Sequence, residues 1–487
     1  MQYEAVIGLE VHCQLKTKSK MFSDCPRDYF DEPPNTLIDP VTLGLPGTLP
    51  VINSEAVALT IRTGLALGCT IPENAKFDRK NYPYPDLPKG YQITQYDMPF
   101  CINGQLEVDT SDGTKSVRIE RIHLEEDTGR LIHRNDGIED YSLIDFNRAG
   151  VPLMELVTHP DIRSAEAAAN FLRSLRQIFR YINVSDADLE KGSFRCDANV
   201  SLRPEGETKL GNKVEVKNMN SFRSVQKAIE FEIKRQSKLL DAGERIIQET
   251  RGYVDALGET VSQRSKEEAN DYRYFPEPDL PPLKISRHQV EQIKSHLPEL
   301  PKEKQQRFES DFAIPPLQSK VLTETKQRAA DFEEAVELVK EKRLAKLVAN
   351  WFIGDVAGKI NTIGRADAEL IDTGITPAHI ASLVLLVDSK KITASTAKDV
   401  LEFAFETGAT PEQIINEKGL GQVTEGDAIQ VVIDNIIDAN PKAVSDYKQG
   451  KDSAVKFLVG QVMRETKGRA DPNTTNNLIL TTLDKLN

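Results

Sequence analysis

The sequence predicts an α+β fold. A large domain on a mixed or antiparallel sheet precedes an all-α domain and a small all-α tail domain. Three observations predict this. Before about residue 285 the chain is rich in Gly, Pro and short runs alternating apolar with polar residues, whereas charged helical runs dominate beyond it. Within the first part, strands and helices do not alternate as βαβ units would. Near the end, Ile429, Val432, Ile433, Ile436 and Ile437 recur at i, i+3, i+4, i+7 and i+8, the period of an amphipathic helix. The expected boundaries are 1–288, 289–405 and 406–487, within the about two to four domains that a chain of this length suggests.

The elements follow in order. VIGLEVHCQL (6–15) and SVRIERIHLEE (116–126) read as strands, as do SFRCDANVSLR (193–203) and KVEVKN (213–218). Ser164 is placed to cap the helix AEAAANFLRSLRQIFRYI, whose Leu172, Leu175 and Phe179 share one face. A second helix is expected from about Ser221 to Leu240. Pro281, Pro282, Pro298, Pro301, Pro315 and Pro316 punctuate the entry to the helical region, where runs such as KEKQQRFESDF and EEAVELVKEKRLAKLV follow.

Composition narrows the class. A formal charge of −13 argues against a wholly basic nucleic-acid binder but leaves room for a local basic footprint. Five scattered cysteines (13, 25, 69, 101 and 196), with no CxxC pair, read as reduced thiols of a cytoplasmic protein. No signal peptide is expected from MQYEAVIGLEVHCQLKTK, and no apolar run approaches the roughly 18–20 residues that span a bilayer, so no membrane partner is expected.

Familiar catalytic loops are missing. The nearest approach to a P-loop, Gly206 to Lys213, has Asn212 where the lysine belongs, and there is no GxGxxG or GxSxG. A bound nucleotide therefore needs another device, such as a sheet face with a metal. Side chains alternate along a strand. Hence Glu10, His12 and Gln14 oppose Leu9, Val11, Cys13 and Leu15, and Arg195, Asp197, Asn199, Ser201 and Arg203 share a face. Arg121, His123, Glu125 and Asp127 form a third such set, and Lys213, Glu215 and Lys217 a fourth. For any single strand the bland reading is a solvated face. Four strands carrying carboxylates, histidines and cations together point to a ligand-binding face. Glu10 and His12 are spaced to reach one ion, with Glu125 and Glu155 supplied from elsewhere. Oxygen-rich sites suit Mg²⁺, and a histidine among them suits Mn²⁺. Two Tyr/Pro-rich segments, FDRKNYPYPDLPKGYQITQYD (77–97) and DYRYFPEPDLPPL (271–283), read either as loops packed over the sheet or as ordered loops placing cations at an anionic ligand.

The tail has a charge step. Residues 401–440 hold eight acidic residues and one lysine. Residues 441–470 hold seven basic residues (Lys442, Lys448, Lys451, Lys456, Arg464, Lys467 and Arg469) against three acidic ones. This reads as a solvated helical surface or as an RNA-facing patch, because phosphates attract Lys and Arg.

VIGLEVHCQLKTKSKMF, FDRKNYPYPDLPKGYQITQYD, RIHLEEDTGRLIH, DFNRAGVPLMELV, GSFRCDANVSLRP, VKNMNSFRSV and DYRYFPEPDLPPL occur in this order. Together they resemble the hallmark segments of the B-subunit family of glutamyl-tRNA(Gln)/aspartyl-tRNA(Asn) amidotransferases, over the whole chain. The resemblance implies a catalytic sheet reminiscent of glutamine synthetase, followed by helical tRNA-binding parts. It implies ATP-dependent phosphorylation of Glu or Asp esterified to tRNA, then displacement of phosphate by ammonia. The ammonia comes through a channel from an amidase (A) partner that hydrolyses glutamine, and a small C subunit completes a heterotrimer. Carried over by position, the metal ligands are Glu10, His12, Glu125 and Glu155, the first three also being the catalytic residues. Arg79, Lys80, Arg195, Asn199 and Lys217 are nucleotide or phosphate contacts, and Asp197 and Glu215 are ligands or their supports. The tRNA contacts expected in the tail are Lys448, Lys451, Lys456, Arg464, Lys467 and Arg469. Some family members carry a four-cysteine zinc knuckle where this chain has Ser23, Cys25, Asp39 and Thr42, so no structural zinc is expected. The sequence leaves open Glu-tRNA(Gln), Asp-tRNA(Asn) or both as substrate. A non-catalytic tRNA adaptor and a lone metal-dependent phosphohydrolase are competing readings; neither explains seven segments in family order.

Overall fold

The computed structural model describes residues 3–135, 137, 139–265, 272–365, 367–420, 426–449, 451, 453–466 and 470–485. The chain forms two compact units, Met1–Leu300 and Pro301–Asn487. The first is mixed α and β around a large sheet and the second is helical, as the change in sequence character near residue 285 predicts.

The first unit is built on an eight-stranded sheet. From edge to edge its strands are Glu259–Ser265, Glu249–Val254, Val214–Lys217, Phe194–Pro204, Tyr3–Gln14, Pro152–Thr158, Gly113–Glu126 and Cys101–Thr110. All neighbours pair antiparallel except Val214–Lys217 with Glu249–Val254, which are parallel. The four strands read from alternation are all present. Helix Ala165–Tyr181 is capped by Ser164, whose side chain accepts from Ala167 N, and helix Phe222–Asp241 is capped in the same way by Ser221. Each such cap is worth about 1 kcal/mol over alanine. Leu9, Val11, Cys13, Leu156, Ile122, Leu124, Cys196, Ala198 and Val200 enter one core with Phe171, Leu172, Leu175 and Phe179 of the first helix and Val225 and Ile229 of the second. This apolar layer buries one side of the sheet. Glu10, His12 and Asn199 are only half-buried on the other.

The two Tyr/Pro-rich segments meet in a second, three-stranded sheet, Phe275–Pro276, Asp78–Asn81 and Tyr91–Thr94 in that order. Helix Arg287–Ser295 stays with the first unit through Val290, a core residue packed with those of the large sheet.

The second unit has two apolar cores. One runs from Phe308 to Ile414 and the other from Ile429 to Leu483. In helix Gly426–Ala439, Ile429, Ile433 and Ile437 are buried and Val432 and Ile436 pack beside them, matching the predicted stripe. Helix Pro411–Lys418 belongs with the first of these cores, because Ile414 is 2% exposed within it. Among the described residues, no helix is long and apolar enough to cross a membrane.

Candidate active site

Strand pairing assembles a polar row from four strands. His12 stands opposite Arg195 on one side and Glu155 on the other, and Glu155 stands opposite His123. Directly opposed residues point to the same face, so Arg195, His12, Glu155 and His123 form one line. Glu125, two positions beyond His123, projects from the same face. Nε2 of His12 lies 3.3 Å from Glu155 Oε2 and 3.8 Å from Glu125 Oε1. Nε2 of His123 lies 3.2 Å from the same Glu155 oxygen and 3.9 Å from Glu125 Oε2. Thr94 Oγ1 donates to Glu125 Oε2 at 3.0 Å.

The electrostatics follow from this crowding. Burial opposes a charge on His12, but Glu155 and Glu125 outweigh it and raise the imidazole to about 9. Burial also opposes a charge on Glu155, yet His123 and His12 hold that carboxyl well below its ordinary value. One ligand atom each from His12, Glu125 and Glu155 lie within 4.8 Å of one another. Two carboxylate oxygens and an imidazole nitrogen at this spacing fit a divalent cation. His123 adds a second imidazole beside them, and its Nδ1 is buried with no hydrogen-bond partner among the described residues.

Of the predicted residues, Glu10 is not in this group. A strand advances roughly 6.5–7 Å over two residues, so Glu10 falls one row away, opposite Asp197, and accepts a 2.8 Å hydrogen bond from Asn199 Nδ2. In that second row Lys217 Nζ bridges Asp197 at 2.7 Å and Glu215 at 3.2 Å, and these carboxylates outweigh burial to raise the lysine's pKa. Lys80 does reach the first row electrostatically. Burial opposes its charge, but Glu125, Tyr274, Glu155 and Tyr272 raise its pKa. Its ammonium lies 5.0 Å from the Tyr272 ring centroid. Arg79 is committed elsewhere. Its Nε and Nη2 fork onto Glu277 at 2.7 and 2.8 Å, with Asp279 at 3.2 Å, where the two Tyr/Pro-rich segments pair.

Sequence reasoning placed His123 on the right face but did not name it as a ligand. The signal was the alternation His123–Glu125. It missed Thr94 altogether, because nothing in YQIT marks the threonine as a partner of a carboxylate 31 positions away. The four positions expected to lack zinc gather around a carboxylate. Asp39 accepts from Ser23 Oγ at 2.9 Å, from Thr42 Oγ1 and from the Val41 and Thr42 amides, beside Cys25. In the tail, Lys448, Lys456 and Arg464 are exposed, and Lys451 is paired with Asp446 at 2.7 Å. Lys467 and Arg469 lie outside the described residues.

Residues 5–291 match the model of the GatB/GatE catalytic domain, and residues 330–483 match that of the GatB domain. The chain belongs to the GatB family. It is 49% identical over 486 residues to the B subunit of the aspartyl/glutamyl-tRNA(Asn/Gln) amidotransferase of Carboxydothermus hydrogenoformans, covering 100% of both chains. It is 49% identical over 481 residues to the protein of the same name in Thermotoga maritima, covering 98% of each. A third relative of that name, from Caldanaerobacter subterraneus, is also 49% identical over 485 residues, covering 100% of both chains. The first family match, residues 5–291, includes His12, Glu125, Glu155, Arg195 and Lys217, so all five lie within the catalytic domain of this family.

Proposed function

We propose that this GatB-family chain is the carboxyl-activating subunit of a tRNA-dependent amidotransferase, a glutamine-hydrolysing carbon–nitrogen ligase. It phosphorylates the side-chain carboxylate of Glu or Asp esterified to tRNA(Gln) or tRNA(Asn), then lets ammonia displace the phosphate. The observation that carries this reading is the His12–Glu125–Glu155 group, with Glu125 buried and His12 half-buried, flanked by Lys80 and Arg195, in a chain with no P-loop. Phosphoryl transfer relies on positioned cations more than on covalent chemistry by the protein. His12, Glu125 and Glu155 would hold Mg²⁺ or Mn²⁺, which neutralises phosphate charge when bound. Arg195, Lys80 and Lys217 supply fixed positive charge to the nucleotide and the acyl phosphate, and Asn199 orients Glu10 beside them. A substrate carboxylate oxygen attacks the γ-phosphorus and ADP leaves. Ammonia then attacks the acyl carbon, phosphate leaves, and the amide remains on the tRNA.

The ammonia source is an amidase partner, because this chain shows no glutaminase nucleophile motif. A small third subunit completes a cytoplasmic heterotrimer. The sheet in residues 1–288 plays the part that the glutamine synthetase sheet plays in a like reaction, and the helical parts at 289–405 and 406–487 hold the tRNA. Glu125→Gln tests the reading, since it keeps shape and removes charge. In the assembled enzyme it should abolish transfer of labelled phosphate from ATP to Glu-tRNA, with tRNA affinity changed by no more than a few-fold. Normal ATP turnover in this variant would remove Glu125 from the metal ligands.

A further inference from the structure

At the end of the polar row, Asp127 is 4% exposed. Its Oδ2 accepts from Gln14 Nε2 and from an Arg195 Nη2, both at 2.9 Å, and lies 3.8 Å from Arg148 Nε. Its Oδ1 accepts from the Thr128 amide at 3.0 Å. Gln14 is 2% exposed and its side-chain amide meets the Tyr29 hydroxyl at 3.1 Å. The backbone on either side is pinned, by Asp127 N to Val151 O and by Gly150 N to Asp127 O.

Arg195 is the more exposed partner in this pair. Its side chain is 37% exposed, it stands opposite His12 in the sheet, and Asp127 is its hydrogen-bond partner. A guanidinium carries five N–H donors in a rigid plane, and one corner is held. Among the described residues, the other donors have no hydrogen-bond partner. We propose that Asp127 is a positioning residue for phosphoryl transfer: backed by Gln14 and Tyr29, it fixes Arg195 so that the free edge of the guanidinium takes oxygens of the transferring phosphoryl group. Holding a long side chain in place before the anion arrives removes the cost of ordering it during the reaction. A buried ion pair that served stability alone would not need a partner left more than a third exposed beside the candidate metal ligands.

This inference rests on the phosphoryl-transfer reading above. The test uses the assembled amidotransferase with misacylated tRNA and MgATP, comparing D127N, R195A and the double variant. The expected result is a loss of about tenfold or more in kcat/KM for ATP in D127N, at least as large in R195A, and no larger in the double variant than in R195A. KM for tRNA should stay within about twofold. An undiminished effect of D127N in the R195A background, or a wild-type D127N, overturns the inference. Should D127N melt below the assay temperature, Tyr29→Phe replaces it. A loss of about threefold that vanishes in the R195A background then supports the inference, and wild-type kinetics overturn it. If both R195A and Glu125→Gln behave as wild type, the phosphoryl-transfer reading itself has failed. If they are impaired and D127N is not, only the positioning role falls.

Discussion

Arg79→Ala separates an arginine that holds ligand from one that holds the fold. The guanidinium forks onto both oxygens of Glu277, whose side chain is 0% exposed. Truncating Arg79 leaves that carboxylate in the interior with the Asp279 amide, 3.0 Å from Oε1, in place of its counter-ion. Deleting one partner of a buried pair costs about 3–5 kcal/mol. The guanidinium also sits 4.2 Å from the Tyr91 ring centroid, a contact worth about 0.5–1 kcal/mol. Relief of the buried charge by protonation or water entry limits the total, so a net loss of about 3–4 kcal/mol is expected. For a unit that spans Met1–Leu300 that lowers Tm by on the order of 5–6 °C. Arg79→Lys keeps the charge but cannot make the fork, and should fall between the two. The assay is calorimetric melting of the purified chain, run beside KM for ATP in the assembled enzyme. An unchanged Tm together with a large rise in KM for ATP would refute the structural reading and return Arg79 to the nucleotide.

Three further outcomes are expected. His12 gains its proton-binding strength from Glu155 and Glu125, so its folded pKa of about 9 exceeds its unfolded 6.5. In metal-free protein this stabilises fully below about 6.5 and is lost as pH rises through about 9, whereas divalent-cation affinity should climb over that range as the proton leaves. Titration calorimetry showing pH-independent affinity would exclude His12 as a ligand. The purified chain should release no ammonia from glutamine, yet amidate weakly with misacylated tRNA, ATP and high ammonium; glutaminase activity in a preparation free of the amidase would sink that division of labour. Removing residues 421–487 spares the core that ends with Ile414 and partly buried Leu420, and should weaken tRNA binding and flatten its salt dependence. Equal slopes in filter binding would mean that Lys448, Lys456 and Arg464 are solvated surface.

Legibility followed period and proximity. The Tyr3–Gln14 and Phe194–Pro204 strands were readable because one face packs under helices and the other is polar, which enforces strict alternation. The Ile429–Ile437 stripe was readable because helical period repeats over several turns. Pairing was not readable. Nothing in PLMELVT announces that Pro152–Thr158 lies between the strands of His12 and His123, and that placement is what brings Glu155 to both imidazoles. Nor could spacing show that Arg79 answers Glu277, 198 positions away. The edge strand Cys101–Thr110 and the helix Ser54–Ala66 carried no motif and drew no prediction, and the hairpin Arg130–Asn135 with Asp140–Asp145 was not read as strands although its ends fall in RIHLEEDTGRLIH and DFNRAGVPLMELV.

One irregularity explains how the row is kept in phase. The Gly113–Glu126 strand buries Val117 and Ile119, then Ile122 and Leu124. The first pair is odd-numbered and the second even, so simple alternation fails across Glu120 and Arg121. The pairing shows why: Ile119 stands opposite Thr158 and Arg121 opposite Val157, so one extra residue is taken up by a bulge. Without that step, the apolar residues on one side of Glu120 would face the polar layer, or His123 and Glu125 would turn into the core. Two consecutive polar residues inside an otherwise alternating run are thus the sequence trace of the bulge. The helix-packed core fixes the phase of every strand, and His12, Glu155, His123 and Glu125 converge because each is held to the opposite face by the apolar residues beside it.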